Sequence, residues 1–229
     1  MNRILLLFLF IANVGWSQST LTPAELLGQF DQRNHPDFTK ISKEYTSKEN
    51  IYLRTEAYTQ FEKMYAAAKA DGINLTIVSA TRNFNYQKGI WERKWNRSKY
   101  MGWEAIKKAQ DILNYSSMPG SSRHHWGTDI DLNSLNNDYF RSGEGLKIYS
   151  WLQTNGPSYG FHQVYTSKDA GRTGYNEEKW HWSYLPLASD YLRQFNALIT
   201  PDLIGPFKGA ELADTLEIIP NYVNGIEQH

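Results

Sequence analysis

The sequence predicts an α+β fold built as a single compact domain, and three observations favour this class. The chain has 229 residues, a length that suits one domain or one domain with an extension. Hydrophobic residues make up 41% of the chain and charged residues 21%, which is enough apolar material for a packed core. Helical patterns concentrate early and strand patterns late, without the regular β-α-β alternation that is typical of a parallel sheet.

The N-terminus has the pattern of a secretory signal peptide. Arg3 supplies a short positive region, residues 4–14 form an apolar run, and the small and polar residues 15–18 suit a cleavage site. The apolar run is too short for a spanning helix. We therefore predict that residues 1–18 are removed, that no membrane span remains, and that the protein is exported to the periplasm or the extracellular space.

The mature chain then begins with a helix-capping sequence. Thr22, Pro23 and Glu25 have the order of an N-cap, a first helical residue and a capping-box partner. Leu21 and Leu26 are placed to pack against each other as a hydrophobic staple. This pattern predicts a short helix at the start of the domain.

Apolar spacing predicts the longer helices and strands. A helix is predicted over residues 56–70, with Gly72 as its C-terminal cap, followed by a buried strand over residues 73–80. Further helices are predicted over YQKGIWERKW, WEAIKKAQDIL, GLKIYSWLQTN (closed by Gly156) and residues 187–199. Short strands are predicted over TDIDLN, GFHQVY and KWHWSYL, and residues 115–123 form a turn-rich loop.

The balance of residue types excludes several classes of function. The chain carries 24 basic and 24 acidic residues, so it offers no electrostatic reason to expect nucleic acid or an acidic membrane surface as a partner. It contains no cysteine, which removes disulfides, thiol catalysis and thiolate zinc sites. The fold therefore depends on its core, with a metal as the available additional support.

Polar side chains concentrate in SSRHHWGTDIDL, residues 121–132. A glycine turn between a histidine and an aspartate can direct both side chains into one pocket, and His124 and Asp131 meet that description. Farther along, Glu178 precedes His181 by three residues. Two imidazoles and one carboxylate form a three-ligand zinc set that leaves a position for water, from which Glu178 can take a proton.

Each half of this pattern also has a simpler interpretation. Polar loops with histidine are common, and His181 taken alone is as well explained as a core histidine between Trp180 and Trp182. A geometric condition also applies, because residues three apart on a regular strand face opposite sides. Glu178 and His181 can converge only where the chain turns or bulges between them.

Arg82 directly follows the predicted buried strand, so its side chain can reach into a cleft from the end of a sheet. There it can pair with a carboxylate or stabilise the oxyanion that forms when water adds to a peptide carbonyl. A structural salt bridge is the commoner role for a lone arginine, and the residue alone does not decide between these roles.

Three motifs occur together along the chain. They are a strand ending in Ser-x-x-Arg with a glutamine soon after, then Ser-x-His-x-x-Gly-x-x-x-Asp, and then Glu-x-Trp-His. The matching residues are, in order, Ser79, Arg82 and Gln87; Ser122, His124, Gly127 and Asp131; and Glu178, Trp180 and His181. Over about residues 73–184 the chain thereby resembles the zinc D-alanyl-D-alanine carboxypeptidases of the M15 peptidase family, in the VanY-like branch.

The resemblance implies one zinc ion and a catalytic role for two further residues. His124, Asp131 and His181 would hold the metal. Glu178 would act as general base and then as general acid. Arg82 would bind either the oxyanion or the carboxylate of the substrate.

The resemblance also assigns residues around that centre. Ser122 and Gln87 are implied as substrate-binding members of the pocket. His125 cannot share the metal with His124 without distortion, so we expect it to stay outside the ligand set. Asp129 lies two residues before the aspartate ligand, on the same face of a regular strand, and we expect it to orient a ligand imidazole.

The implied fold is a compact α+β domain of the hedgehog and D,D-peptidase type, with a central antiparallel sheet and packed helices. Residues 19–199 would form the zinc peptidase domain, and residues 200–229 a C-terminal extension of open role. The implied activity of this monomer removes the terminal D-alanine from peptidoglycan stem peptides. The alternatives are L,D-carboxypeptidase or endopeptidase activity on the same peptides, and a non-catalytic peptidoglycan-binding module.

Overall fold

The computed structural model describes residues 20–229, so the predicted signal peptide lies outside the described residues. The helices are α1 (Pro23–Leu26), α2 (Thr55–Ala70), α3 (Phe84–Trp95), α4 (Ala105–Leu113), α5 (Gly143–Asn155) and α6 (Leu185–Leu198). The strands are β1 (Phe38–Lys40), β2 (Tyr52–Arg54), β3 (Ile77–Ser79), β4 (Asp129–Leu132), β5 (Phe161–Gln163) and β6 (His181–Tyr184). Within residues 20–229, no helix has both the length and the apolar character needed to cross a bilayer.

A four-stranded antiparallel sheet lies at the centre of the fold, in the order β3-β4-β6-β5. Strands β4 and β5 are linked through α5 and run in the same direction, and β6 lies between them, so every neighbouring pair is antiparallel. This arrangement confirms the predicted α+β class with a central antiparallel sheet. Strands β1 and β2 form a separate two-stranded sheet that the sequence patterns did not indicate.

The strand predicted over residues 73–80 is shorter than expected, because its first residues complete the preceding helix. Gly72 adopts a left-handed conformation with φ of 75°. The N–H of Gly72 then donates to the Lys69 carbonyl, and the N–H of Ile73 donates to the Ala68 carbonyl. These two bonds form a Schellman motif, which confirms Gly72 as the cap of α2 and leaves only Ile77–Ser79 as strand.

Gly156 follows α5 as predicted, but it does not have the conformation of a left-handed cap. Its φ is −49°, and the chain continues as a 3-10 helix over Gly156–Tyr159 before Gly160 turns it with φ of 80°. A Cβ atom at Gly156 would lie 2.9 Å from the Phe161 carbonyl oxygen and 3.2 Å from Trp182 Cζ3. The glycine is therefore required for close packing against the sheet.

Two apolar clusters stabilise the fold. One cluster packs α2 and α5 against one face of the central sheet. The other cluster joins α1, α3, α4 and α6, and it includes Leu21 and Leu26. The predicted capping box between Thr22 and Glu25 is also formed. The C-terminal segment contributes several buried members of this second cluster, which are Ile204, Phe207, Ala213, Leu216, Ile218 and Val223.

The last residues of the chain lie along β5, at the edge of the central sheet. The N–H of Glu227 donates to the Val164 carbonyl at 2.8 Å, and His229 Nε2 donates to the Gln163 carbonyl at 3.0 Å. Residues 200–229 thus pack into the core and against an edge strand. Covered strand edges are protected from pairing with other chains.

Candidate metal centre

Strand register brings together two of the three predicted ligands, although they are fifty residues apart in the chain. Asp131 on β4 is the direct antiparallel partner of His181 on β6, and Ser79 on β3 lies opposite Asp131 on its other side. Directly opposed residues project to the same face of a sheet. The distance between Asp131 Oδ1 and His181 Nδ1 is 3.1 Å.

A left-handed glycine directs the third predicted ligand toward the same point. His124 lies in the 3-10 helix Arg123–Trp126, which ends at Gly127 with φ of 73° and ψ of 22°. A Cβ atom at Gly127 would lie 2.3 Å from Phe38 Cε1, so a larger residue does not fit there. The turn leaves His124 Nε2 at 3.3 Å from Asp131 Oδ1.

Hydrogen bonds determine which nitrogen of each imidazole faces the centre. His124 Nδ1 donates to the Ala80 carbonyl at 2.9 Å, which leaves Nε2 facing Asp131. His181 Nε2 donates to Asp129 Oδ2 at 2.8 Å, which leaves Nδ1 facing Asp131. One donor atom from each of the three residues lies within 4.8 Å of the others, and all three side chains are buried. The structure therefore brings together the donor set that the sequence predicted.

Asp129 lies behind His181 and is itself fully bonded. Its Oδ2 also accepts from Arg123 Nε at 3.1 Å. Its Oδ1 accepts from Thr128 Oγ1 at 2.7 Å and from Ser183 Oγ at 2.8 Å. These contacts hold the carboxylate against His181 Nε2, the position from which it would orient a ligand imidazole.

Glu178 approaches the centre because the chain turns between it and His181. The N–H of His181 donates to the Glu178 carbonyl at 3.2 Å, closing a turn over Lys179 and Trp180. The geometric condition for convergence is thus met, and Glu178 Oε2 lies 3.9 Å from His181 Nδ1. Burial raises the pKa of Glu178 to about 7, although the charge of His181 opposes the shift.

The negative charge of the centre lies on its aspartates. Burial acts to raise the pKa of Asp131, but His124, His181 and Arg82 outweigh it and hold that pKa well below its usual range. Burial likewise acts to lower the pKa of His181, but Asp129 and Asp131 raise it to about 9. The group therefore attracts positive charge, whether a proton or a cation.

Arg82 reaches the centre from the end of β3. Its Nη1 donates to Ser79 Oγ at 3.1 Å and lies 3.5 Å from Asp131 Oδ2, while its buried Nε has no hydrogen-bond partner. The side chain is thus paired on one side, as in a structural salt bridge, and has a free donor on the other. Both interpretations of Arg82 left open by the sequence have a counterpart in this geometry.

His125 stays outside the cluster, as expected. Its Nδ1 donates to the Arg82 carbonyl, and its Nε2 accepts from the N–H of Gly120 at 2.9 Å. Burial lowers the pKa of His125 to about 3, so the ring is neutral and both nitrogens are used. No lone pair remains for a metal.

A cavity of about 650 Å³ opens onto the centre. It is lined by seven of the eight predicted site residues, and Asp129 lies behind its wall. Ser122 Oγ and Gln87 Oε1 are buried without a hydrogen-bond partner, which suits residues that contact a ligand. The lining also includes residues that the motifs did not indicate, among them Lys94, Tyr115, Asn136, Asn137, Asp138, Arg141, Tyr165 and Tyr175.

Two of these missed residues have a clear structural relation to the centre. The Tyr165 ring lies 4.5 Å from the His181 ring, centroid to centroid. Lys94 follows Gln87 by two helical turns on α3, a spacing that the helix prediction could have exploited. Tyr165 gave no comparable local signal, because only the fold places it beside His181.

Comparison with known protein families identifies one family. The family described as VanY, D-alanyl-D-alanine carboxypeptidase, matches residues 50–187. A D-alanyl-D-alanine carboxypeptidase of Enterococcus faecalis is 28% identical over 143 residues, which are 62% of this chain and 51% of that protein. The match thus spans about half the length of this curated relative.

Two solved structures share the fold. The LdcB LD-carboxypeptidase is 25% identical, with a TM-score of 0.56 over 77% of this chain and 78% of that one. The vancomycin-resistance D,D-pentapeptidase VanY in complex with Zn(II) is 22% identical, with a TM-score of 0.51 over 73% of this chain and 94% of that one.

Proposed function

Because this chain belongs to the VanY family of D-alanyl-D-alanine carboxypeptidases in the M15 group, we propose that it is a zinc carboxypeptidase. Its substrates are peptidoglycan stem peptides, from which it removes the terminal D-alanine. One observation carries this proposal, namely the buried convergence of His124, Asp131 and His181 with Glu178 directed at the same point. The related D,D-pentapeptidase VanY, whose solved structure contains Zn(II), supports the choice of metal.

The donor set fits one zinc ion. Zinc accepts two imidazole nitrogens and a carboxylate oxygen, and a catalytic zinc keeps a fourth position open. His124 would use Nε2 and His181 would use Nδ1, because the other nitrogen of each ring is already hydrogen-bonded. Bound there, zinc supplies a Lewis acid and lowers the pKa of a coordinated water to about 7.

Glu178 performs the proton transfers. It takes a proton from the attacking water and delivers the same proton to the amine that leaves when the peptide bond breaks. A carboxyl with a pKa of about 7 can do both near neutral pH, and burial supplies that shift.

Arg82, Ser122 and Gln87 bind the substrate around the reacting carbonyl. The free Nε of Arg82 stabilises the developing oxyanion, because it is a fixed donor in a site of low dielectric. The unpartnered hydroxyl of Ser122 donates or accepts a hydrogen bond with the peptide, and the unpartnered amide oxygen of Gln87 accepts one.

We further propose that the protein is exported, because its substrate lies outside the cytoplasm and residues 1–18 have the pattern of a signal peptide. We propose that it acts as a monomer on the wall, in the periplasm or extracellularly. Sizing of the mature protein tests the monomer.

The decisive experiment incubates the zinc-loaded protein with defined pentapeptide and tetrapeptide muropeptides and identifies the products by mass spectrometry. Glu178→Gln should lower the rate by about 10²- to 10⁴-fold at unchanged zinc content, since it removes only the proton carrier. Glu177→Gln is the matched control, because Glu177 is the neighbouring carboxylate and does not line the cavity. Chelation should abolish activity and zinc should restore it.

The products also separate the alternatives. The likeness to an LD-carboxypeptidase makes the tetrapeptide arm informative, since shortening of the tetrapeptide alone would show L,D specificity. Cleavage within the stem would show an endopeptidase. If the zinc-loaded protein cleaves neither peptide and Glu178→Gln behaves identically, the enzymatic proposal is wrong and binding without catalysis remains.

A further inference from the structure

Helix α3 presents one face to the cavity. Gln87, Ile90 and Lys94 recur at helical spacing on this face, and all three line the cavity. Gln87 belongs to the motif that identified the site, whereas Lys94 does not. Lys94 is half-buried, so its ammonium is partly removed from solvent at the wall where substrate is expected.

The ammonium of Lys94 lacks a carboxylate partner. Three lysine and arginine side chains of the described chain line the cavity, and two of them are paired, Arg82 with Asp131 and Arg141 with Asp138. Lys94 Nζ donates instead to the neutral Ser116 Oγ, and within residues 20–229 it forms no ion pair. Among the described lysines and arginines of the cavity wall, Lys94 is therefore the one without an ion-pair partner.

The surroundings make this charge unfavourable until an anion arrives. Burial lowers the pKa of Lys94, and the positive charge of Arg97 adds to the shift, while the charge of Glu178 opposes part of it. A partly desolvated ammonium is stabilised when a carboxylate binds it, and such a charge-assisted hydrogen bond is stronger than a neutral one.

We propose that Lys94 is a specificity-determining residue that binds a carboxylate of the substrate peptide. The inference rests on the proposed function, whose substrates end in a free carboxylate and can carry a second one within the peptide. It also gives the two cationic side chains different groups of the substrate to bind. Lys94 binds the carboxylate, and Arg82, which lies beside Asp131, remains available for the oxyanion.

Peptide binding tests this role without relying on turnover. The zinc-loaded Glu178→Gln protein is titrated calorimetrically with three peptides. One has all carboxylates free, one ends in a carboxamide, and one has its internal carboxylate amidated. The same titrations follow in the Glu178→Gln, Lys94→Met double variant. Lys88→Met is the matched control on α3, since Lys88 lies outside the cavity lining.

Lys94→Met should weaken binding of the fully charged peptide by about 10- to 100-fold, the loss expected for one charge-assisted hydrogen bond. Amidation of the carboxylate that Lys94 binds should cost the same factor in the Lys94 protein and nothing further in the Lys94→Met protein. The peptide that shows this non-additivity identifies the carboxylate as terminal or internal. Lys88→Met should leave all three affinities unchanged, and Lys94→Arg should restore most of the loss.

Two results would overturn the role of Lys94. One is unchanged affinity for every peptide on Lys94→Met. The other is an equal loss for charged and amidated peptides, which indicates a merely structural effect. Cleavage by the protein with Glu178 intact is scored separately. If binding depends on Lys94 and the carboxylate but no peptide is cleaved, the proposed reaction is wrong and the role of Lys94 stands. If the peptides are cleaved but binding does not depend on Lys94, the proposed reaction stands and the role of Lys94 is wrong.

Discussion

The two faces of strands β4 and β6 are equally buried, yet they carry opposite chemistry. All eight residues of these strands are buried. Alternate residues point to opposite faces of a strand, so each strand divides its residues between the two faces. One face carries Asp129, Asp131, His181 and Ser183, and the other carries Ile130, Leu132, Trp182 and Tyr184.

The difference shows how each face is specified. The apolar face needs complementary volume, and similar side chains can replace one another there at small cost. The side chains of the polar face need hydrogen-bond partners, as when Arg123 donates to both Asp129 and Ser183. Removing one partner there leaves a buried charge or polar atom unpaired, which is costly. The polar face is therefore specified by residue identity and the apolar face by shape.

The largest difference in zinc binding is expected between variants of two buried histidines, His181 inside the proposed ligand set and His125 outside it. Loss of an outer partner of a metal ligand lowers metal affinity by about 10- to 100-fold. His181→Ala should lower zinc affinity by more than this, because it removes a ligand itself. His125→Gln should leave zinc content nearly unchanged, since both nitrogens of His125 bond to backbone groups. Metal analysis of the folded proteins measures both, and equal losses would refute the ligand assignment.

A smaller loss of zinc affinity is expected from Asp129, which lies behind His181 on the same polar face. Asp129→Asn should weaken zinc binding by about 10- to 100-fold, because an amide holds His181 Nε2 less firmly than a carboxylate does. It should also destabilise the fold, since buried Arg123 loses its charge partner.

Ser183→Ala separates these two consequences. It removes the hydrogen bonds of Ser183 to Asp129 and from Arg123 and leaves the contact with His181 in place, so stability should fall by about 1–3 kcal/mol with zinc affinity retained. Competition titration with a chelator and denaturant unfolding provide the two measurements. Equal zinc affinity in Asp129→Asn and the wild type would show that Asp129 does not orient the ligand.

The smallest effect is expected on the apolar face. Ile130→Val should lower the free energy of unfolding by about 0.5–1.5 kcal/mol, the usual loss for one buried methylene. Zinc affinity should not change, because Ile130 points away from the ligands although it lies between Asp129 and Asp131. A weakened zinc site in this variant would show that the two faces are coupled through the strand.

Local sequence was a good guide where neighbouring residues decide the structure. The capping box at Thr22 and the left-handed caps at Gly72 and Gly127 depend on interactions within a few residues. The two-stranded sheet of β1 and β2 was missed, since three-residue strands carry too little pattern to be distinguished from loop. The strand at Ile77–Ser79 was predicted too long, because the apolar residues that complete the preceding helix cap have the same composition as a strand.

The sequence by itself determined which side chains are able to form the centre, because two imidazoles, an aspartate and a glutamate appear in motifs that require them. Only the tertiary structure decided how they meet. Antiparallel register set Asp131 opposite His181, and hydrogen bonds to Ala80 and Asp129 chose the nitrogen that each ring presents. The lack of an ion pair for Lys94 within residues 20–229 is likewise a tertiary property. Whether a charge has a partner depends on which distant residues the fold packs around it, and sequence spacing contains no such information.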